Sequence, residues 1–363
     1  MTAAFRLAPV ALLLLGCVSP NRSGWHAYND EDFVLALEEW TEEAEAGDAD
    51  AQYLVGLLYD EGRLGIPEDD STAARWYRFA AEQGHAPAQN NLGLLYHAGS
   101  GVPQSYDEAA TWFLCAAEQD FAPAQANRGV MYLFGQSVAR NQEQARTWLR
   151  LAALQGDDKA QSLLGSVYRE GVGVPEDRIQ AARWFRAAAE EGNPVAELHL
   201  GLLLLEGEGV QRDERDALRW LKRAAEHGLA EAQLAVGWAY HRGRGARRDS
   251  SAAADWYERA ADQGLAAART SLGLMYLYGE GVDRDDDRAA RLLQVAAEQG
   301  DPRAEYNLGL LYAKGRGVPQ SRVDALRWIG RAAAQGFPEA RGKLDALSGV
   351  AGPTTPVASA EAR

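Results

Sequence analysis

A period of 36 residues runs through this chain, and it restricts the possible folds more than any other feature. The stretch LGLLYHAGSGVPQ starts at Leu92 and returns as LGLLYAKGRGVPQ at Leu308, 216 residues later. A glycine of the same kind recurs at Gly56, Gly93, Gly129, Gly165, Gly201, Gly237, Gly273 and Gly309. The first interval is 37 residues because the loop DEGRLGIPEDD is one residue longer than its counterparts, and every later interval is 36. Three residues after the glycine stands a tyrosine, except at Leu204, and later in each row a tryptophan, except at Leu292. An Ala-Ala pair follows, then usually another glycine, as in Ala188-Ala189 and Gly192. Self-similarity at such a period marks an array of small structural units.

Each row holds two helical patterns. The first, as in AQNNLGLLY, is rich in good helix formers and stops at a Gly-x-Gly pair such as Gly99/Gly101 or Gly315/Gly317, where glycine admits the left-handed turn that ends a helix. A short loop with Pro and acidic residues leads into the second, as in QAARWFRAAAEEG, whose apolar residues Ala181, Ala182, Trp184, Phe185, Ala188 and Ala189 share one face. Glycine in the middle of the first helix costs about 1 kcal/mol relative to alanine. Its return in every row predicts close approach of the second helix, where no side chain fits. Such a helix pair cannot bury its apolar side alone, so the expected fold is all-α, a solenoid of about eight 36-residue helix-turn-helix repeats. DEDFVLALEEWTEEAEAG (30–47) reads as a lone second-type helix and FPEARGKLDALSG (337–349) as a lone first-type helix. These are half-repeat caps, and they bound the solenoid at about 30–347.

The rows resemble the Sel-one-like repeat family, a relative of the tetratricopeptide repeats. In the fourth row the carrying residues are Ala160, Leu164, Gly165, Tyr168, Gly171, Gly173, Val174, Ala181, Trp184, Ala188, Ala189 and Gly192. The resemblance implies a right-handed α-solenoid that binds proteins as a scaffold or adaptor, in bacteria often in envelope assembly, secretion, signalling or host contact. The cysteine-rich branch of the family staples its helix pairs with disulfides. This chain departs from that branch, for it has two cysteines, Cys17 and Cys115. Cys115 aligns with Leu151 and Ala187, so it is expected as a packed free thiol.

Residues 1–16, MTAAFRLAPVALLLLG, carry one Arg and a short apolar run, too short to span a bilayer at roughly 20 residues. With Cys17 the segment resembles a bacterial lipobox, which implies a lipoprotein signal peptide, lipidation of Cys17 and a tether at 17–29. Val18 rather than Asp follows the cysteine, which favours the outer membrane facing the periplasm. The tail at 348–363 has Pro, Thr, Ser and Gly without periodicity and is expected to be disordered. The formal charge of −15 disfavours nucleic acid and anionic membrane surfaces as partners of the body, leaving the N-terminal lipid as the membrane contact.

Catalytic spacings are missing. No Ser is followed three residues later by Lys, and neither Lys-Thr-Gly nor His-Glu-x-x-His occurs. The Gly-x-Gly pairs follow helices and lack a third glycine, so they do not read as phosphate loops. Asp283–Asp287 imitates the start of a calcium loop, but Arg288 takes the glycine position and Gln294 the closing position. The expectation is a non-enzyme without metal or cofactor that binds protein or peptide. An envelope enzyme or penicillin-interacting protein, an architectural part of a secretion or polysaccharide-export complex, and a polysaccharide ligand stay open. In tetratricopeptide-like solenoids the first helices line the concave face. Two residues before the repeated glycine, five of eight rows are polar, among them Asn91, Asn127, His199 and Asn307, and an amide ladder can hold an extended peptide. Asn90, Tyr306 and Trp238 are neighbouring candidates. Arg247 and Arg248 are expected to face the Asp283–Asp287 run in the next loop, or to dock an acidic partner or lipid head group.

Overall fold

The structure is a computed structural model and describes residues 22–348. Cys17, the signal segment and the tail beyond 348 lie outside the described residues. The chain divides into two compact units, Met1–Glu176 and Asp177–Arg363. In the first unit the helices are α1 Arg22–Asn29, α2 Phe33–Glu45, α3 Ala49–Glu61, α4 Asp70–Glu82, α5 Ala86–Ala98, α6 Tyr106–Ala117, α7 Ala122–Phe134, α8 Gln142–Leu154 and α9 Asp158–Glu170. In the second they are α10 Arg178–Glu190, α11 Pro194–Glu206, α12 Glu214–Glu226, α13 Ala230–Arg242, α14 Ser250–Asp262, α15 Ala266–Tyr278, α16 Asp286–Glu298, α17 Pro302–Lys314, α18 Arg322–Ala334 and α19 Ala340–Ser348. Among the described residues there are no strands. The architecture is an all-α solenoid.

Local signals set the ends of these helices. The side chains of Asp48, Asp69, Ser105, Asn141 and Asp157 cap helix starts in the first unit by accepting bonds from exposed backbone N–H groups. Asp177, Asn193, Asp213, Asp249, Asp285, Asp301 and Ser321 do so in the second. Each such cap is worth about 1 kcal/mol over alanine. First-type helices end on left-handed glycines, for instance Gly99 at φ 78° and Gly243 at φ 70°.

The mid-helix glycine does what its recurrence predicts. A Cβ at Gly93 would lie 2.7 Å from the Phe113 ring, one at Gly201 2.7 Å from Leu221, and one at Gly309 2.5 Å from Ile329. The two helices of a repeat therefore meet at the glycine, and the alanine pairs of the second helix close the remaining space, as Ala188 and Ala189 do at 0% exposure. Both expected half-repeats are present, α2 with Ala36, Trp40 and Ala44 buried, and α19 with Ala340 buried.

One expectation needs correction. Residues 17–29 read as a tether, yet Arg22–Asn29 is a helix. It is held by an aromatic cluster: the Trp25 ring stands edge-on to Trp40 at 5.3 Å, and Tyr28 lies 5.7 Å from Trp40. A Cβ at Gly24 would collide with the Trp40 indole at 2.3 Å. The cap is thus a helix pair, and the tether that could follow Cys17 is correspondingly short.

Candidate functional site

Polar side chains on the first-type helices fall into two groups, a glutamine column and a set of asparagines, and both are largely engaged within the fold. The first group is a glutamine column four residues before the repeated glycine. Gln52, Gln89, Gln125 and Gln161 are buried, and their amide nitrogens donate to the carbonyls of Ala44, Ala81, Ala117 and Ala153 at 3.0, 3.0, 3.3 and 3.1 Å. These carbonyls sit at the end of the preceding second-type helix, where the usual i+4 donor is missing; each accepts one backbone N–H from three residues on, and the glutamine adds a second bond. Gln83, Gln119 and Gln155 donate in turn to the carbonyl oxygens of Gln52, Gln89 and Gln125 at 2.8 to 2.9 Å. Gln233 and Gln263 repeat the arrangement in the second unit.

Two rows of the second unit exchange this glutamine for a buried carboxylate. Glu197 lies 2.8 Å from Arg223, with His227 at 3.8 Å, and Glu305 lies 2.8 Å from Arg331 and accepts from Gln335 at 2.8 Å. Burial pushes both carboxyls up, and the facing arginines pull them back. Rows that keep glutamine have Phe79, Cys115, Leu151, Ala187 or Arg259 where these have Arg223 and Arg331. The amide ladder of this fold is therefore a structural one. The sequence signal was its near-identity from row to row.

The asparagines behave differently from the expectation of an open ladder. Asn90 and Asn91 are 2% and 5% exposed. Asn127 donates to Asn90 at 2.9 Å, and Asn90 donates to Asn91 at 3.3 Å. The Asn91 amide faces the hydroxyls of Tyr53 and Tyr77, and Tyr77 donates to Asp60 at 3.0 Å. Burial pushes the Asp60 carboxyl up to about 6. Asn90 and Asn91 are engaged inside the first unit and present no free edge to a peptide, while Asn127 is half-buried beside them.

In the second unit Asn307 donates back to the Arg303 carbonyl of its own helix at 2.7 Å. The His199 ring packs on Phe185 at 4.9 Å, and Tyr306 packs on Phe337 at 5.3 Å. Arg247 and Arg248 are exposed. Arg248 approaches Glu280 at 3.8 Å rather than the Asp283–Asp287 run. Asp286 is already held by Arg284 at 2.9 Å and by Arg316 of the following loop at 2.7 Å, which keep its carboxyl well below the usual range.

Trp238 is the candidate that opens onto usable space. A cavity of about 470 Å³ is bounded by Leu202 and Leu205 of α11, Leu234, Ala235 and Trp238 of α13, Tyr257 of α14, Ala267, Thr270 and Ser271 of α15, and the start of α17. That volume lies in the range of ligand sites. The small side chains of Ala235 and Ala267 leave the room. Arg244 fixes the indole: its guanidinium stacks 5.5 Å from the Trp238 ring, bonds the Leu205 carbonyl at 3.1 Å and pairs with Glu214 at 2.7 Å. Ser271 donates to its own helix at Ala267. Thr270 is 1% exposed, and its hydroxyl has no hydrogen-bond partner.

The profile of the Sel1 repeat matches eight consecutive segments, 49–85, 86–121, 122–157, 158–193, 194–229, 230–265, 266–301 and 302–337. The chain belongs to the Sel1 repeat family. A crystal structure of a protective antigen present in uropathogenic Escherichia coli strains, described as displaying an SLR fold, is 36% identical. The match covers 86% of this chain and 67% of that one with a TM-score of 0.76. A Sel1 repeat protein from Oxalobacter formigenes is 30% identical, with 91% and 95% of the two chains covered and a TM-score of 0.61. Among curated proteins, the ERAD-associated E3 ubiquitin-protein ligase component HRD3A of Arabidopsis thaliana is 36% identical over 72 residues, a tenth of its length. Sel1 repeat solenoids are in general protein-interaction scaffolds, and this chain has that scaffold in eight copies.

Proposed function

We propose that this Sel1 repeat chain is a lipid-anchored adaptor of the bacterial cell envelope, non-catalytic, that holds a protein partner in the groove around Trp238. The observation that carries the reading is the cavity itself. It is apolar and backed by an indole held in place from behind, and it contains a buried hydroxyl without a partner. Buried polar groups are normally satisfied, and interface hot spots favour tryptophan in such settings.

The address rests on the apolar run ending at Leu14-Leu15-Gly16-Cys17. A single acyl chain binds membranes marginally and two hold durably, so a diacylated Cys17 would keep the solenoid at the membrane. The description of the E. coli relative as a protective antigen is in keeping with an envelope protein. The test is affinity capture from detergent-solubilised envelopes with wild type and Trp238→Ala. A partner retained by wild type and lost by a folded Trp238→Ala chain supports the reading. Identical captures refute the site. Labelling with radioactive palmitate that survives in Cys17→Ala would refute the anchor.

A further inference from the structure

The mouth of the Trp238 cavity is charged unevenly. Glu206 closes α11 and Glu231 opens α13, and neither carboxylate has an ion-pair partner among the described residues. At the other side Arg303 opens α17; burial pushes the Tyr257 hydroxyl up to about 12 even though Arg303 and Arg242 draw it down. Asp301 also lies at this side, but its carboxylate already caps α17 by accepting from Ala304 at 2.7 Å. Glu231 at the start of α13 and Arg303 at the start of α17 hold the same place in rows two repeats apart, so the groove carries an unpaired acid and an unpaired base at these two points with the apolar floor between them.

Resting on the adaptor reading above, we propose that the groove selects an extended peptide segment with a cationic residue and an anionic residue flanking aliphatic side chains. The cation meets Glu231, the aliphatic side chains fill the cavity beside Trp238, and the carboxylate meets Arg303. Helix axes pack about 8–10 Å apart, so Glu231 and Arg303, two repeats apart, are separated by about 20 Å. An extended chain rises about 3.3 Å per residue, which puts the two charges about six residues apart. Carboxylate and guanidinium at the two ends would reject a uniformly charged segment, because one of its charges would face a like charge.

The probes are four labelled nonapeptides titrated by fluorescence anisotropy against the full-length chain. One has Lys at position 2, Glu at position 8 and Leu at positions 4 and 6. The second has Lys at both ends, the third Glu at both ends, and the fourth keeps the mixed charges with Ser replacing Leu. The mixed Leu peptide should bind at least roughly tenfold tighter than the other three, a difference of the size that hot-spot and charge contacts produce. Glu231→Lys should move the preference to the Glu/Glu peptide, and Arg303→Glu to the Lys/Lys peptide. Both residues are on the surface and outside the core, so these variants keep the fold. If all Leu peptides bind alike and all lose binding in Trp238→Ala, the charge selection is refuted while the groove stands. If binding is indifferent to Trp238→Ala, the groove is refuted too. Absence of binding by every peptide, or unchanged preference in both charge variants, overturns the inference.

Discussion

Replacing Gly237 with alanine adds one methyl group at the point where α13 crosses α14. That methyl would stand 2.6 and 2.7 Å from two carbons of the Tyr257 ring and 3.2 Å from the Ala253 carbonyl oxygen. Tyr257 is 4% exposed, so the ring can give way only toward the cavity it lines. Alanine gains about 1 kcal/mol of helix propensity over glycine, and an extra methylene in a packed core costs about 1–3 kcal/mol. The net expectation is a loss of about 0–2 kcal/mol. Gly273 provides the internal control one repeat later. There the nearest atom is Leu293 Cγ at 3.1 Å and the next lie at 3.4 Å, so a shift of a few tenths of an ångström suffices. Gly273→Ala should be neutral or stabilise by up to about 1 kcal/mol. Urea unfolding of the two full-length variants gives the ordering. Hydrogen exchange should place the weakening of Gly237→Ala in 230–262, because solenoid contacts are local. If Gly237→Ala stabilises as much as Gly273→Ala, close approach is not the reason for the recurring glycine.

Three further outcomes follow from the buried polar groups. Asp60 binds its proton more tightly folded, with a pKa of about 6, than unfolded at about 3.9. Its cost is absent below about pH 4 and complete above about pH 6, so Asp60→Asn should stabilise the first unit at pH 7 by up to about 3 kcal/mol and leave it unchanged at pH 4; equal effects at both pH values in thermal melts would contradict this. Arg223→Ala leaves Glu197 buried beside His227 alone and should destabilise by about 1–3 kcal/mol, while Glu197→Gln/Arg223→Ala reproduces the Gln161–Ala187 pairing of another row and should recover most of the loss in a double-mutant cycle. Gln89→Leu removes two side-chain hydrogen bonds, one to the Ala81 carbonyl and one from the Gln119 amide, which keep Gly84 N–H and the Cys115 carbonyl as remaining partners, so it should cost about 1–3 kcal/mol, measured by urea unfolding; Gln144→Leu on the exposed surface of α8 should change nothing measurable.

The period, the two helix types and the half-repeat caps were legible because one helix pair is written out eight times, and each copy shows which positions packing requires. Two parts were not. Arg22–Asn29 has no counterpart in any row, and its helix depends on Trp25 meeting Trp40, a contact that no local pattern announces. The asparagines depart from the expectation because a position that varies down the column is not thereby free to bind. Asn90, Asn91 and Asn127 vary because they solve a polar problem specific to the first unit, with Tyr53, Tyr77 and Asp60. Trp238 stands out in the sequence as an aromatic residue in a variable place, but its cavity depends on Ala235 and Ala267 being small. Other rows carry Leu54 or Leu163 and Pro87, Lys159 or Val195 at the matching positions. Size differences between rows, more than polarity, were the sequence signal for the site.

The central claim is that the Trp238 groove holds a partner in the cell. A photo-crosslinking amino acid placed at position 271, on the groove, tests it most directly when compared with the same group at position 183, an exposed residue of the second-type helix α10. The account predicts that illumination of intact cells yields a discrete cross-linked partner from position 271, none from position 183, and loss of the product when Trp238→Ala is added. Cross-linking from position 183 with nothing from 271, or a product from 271 that is indifferent to Trp238→Ala, would contradict it.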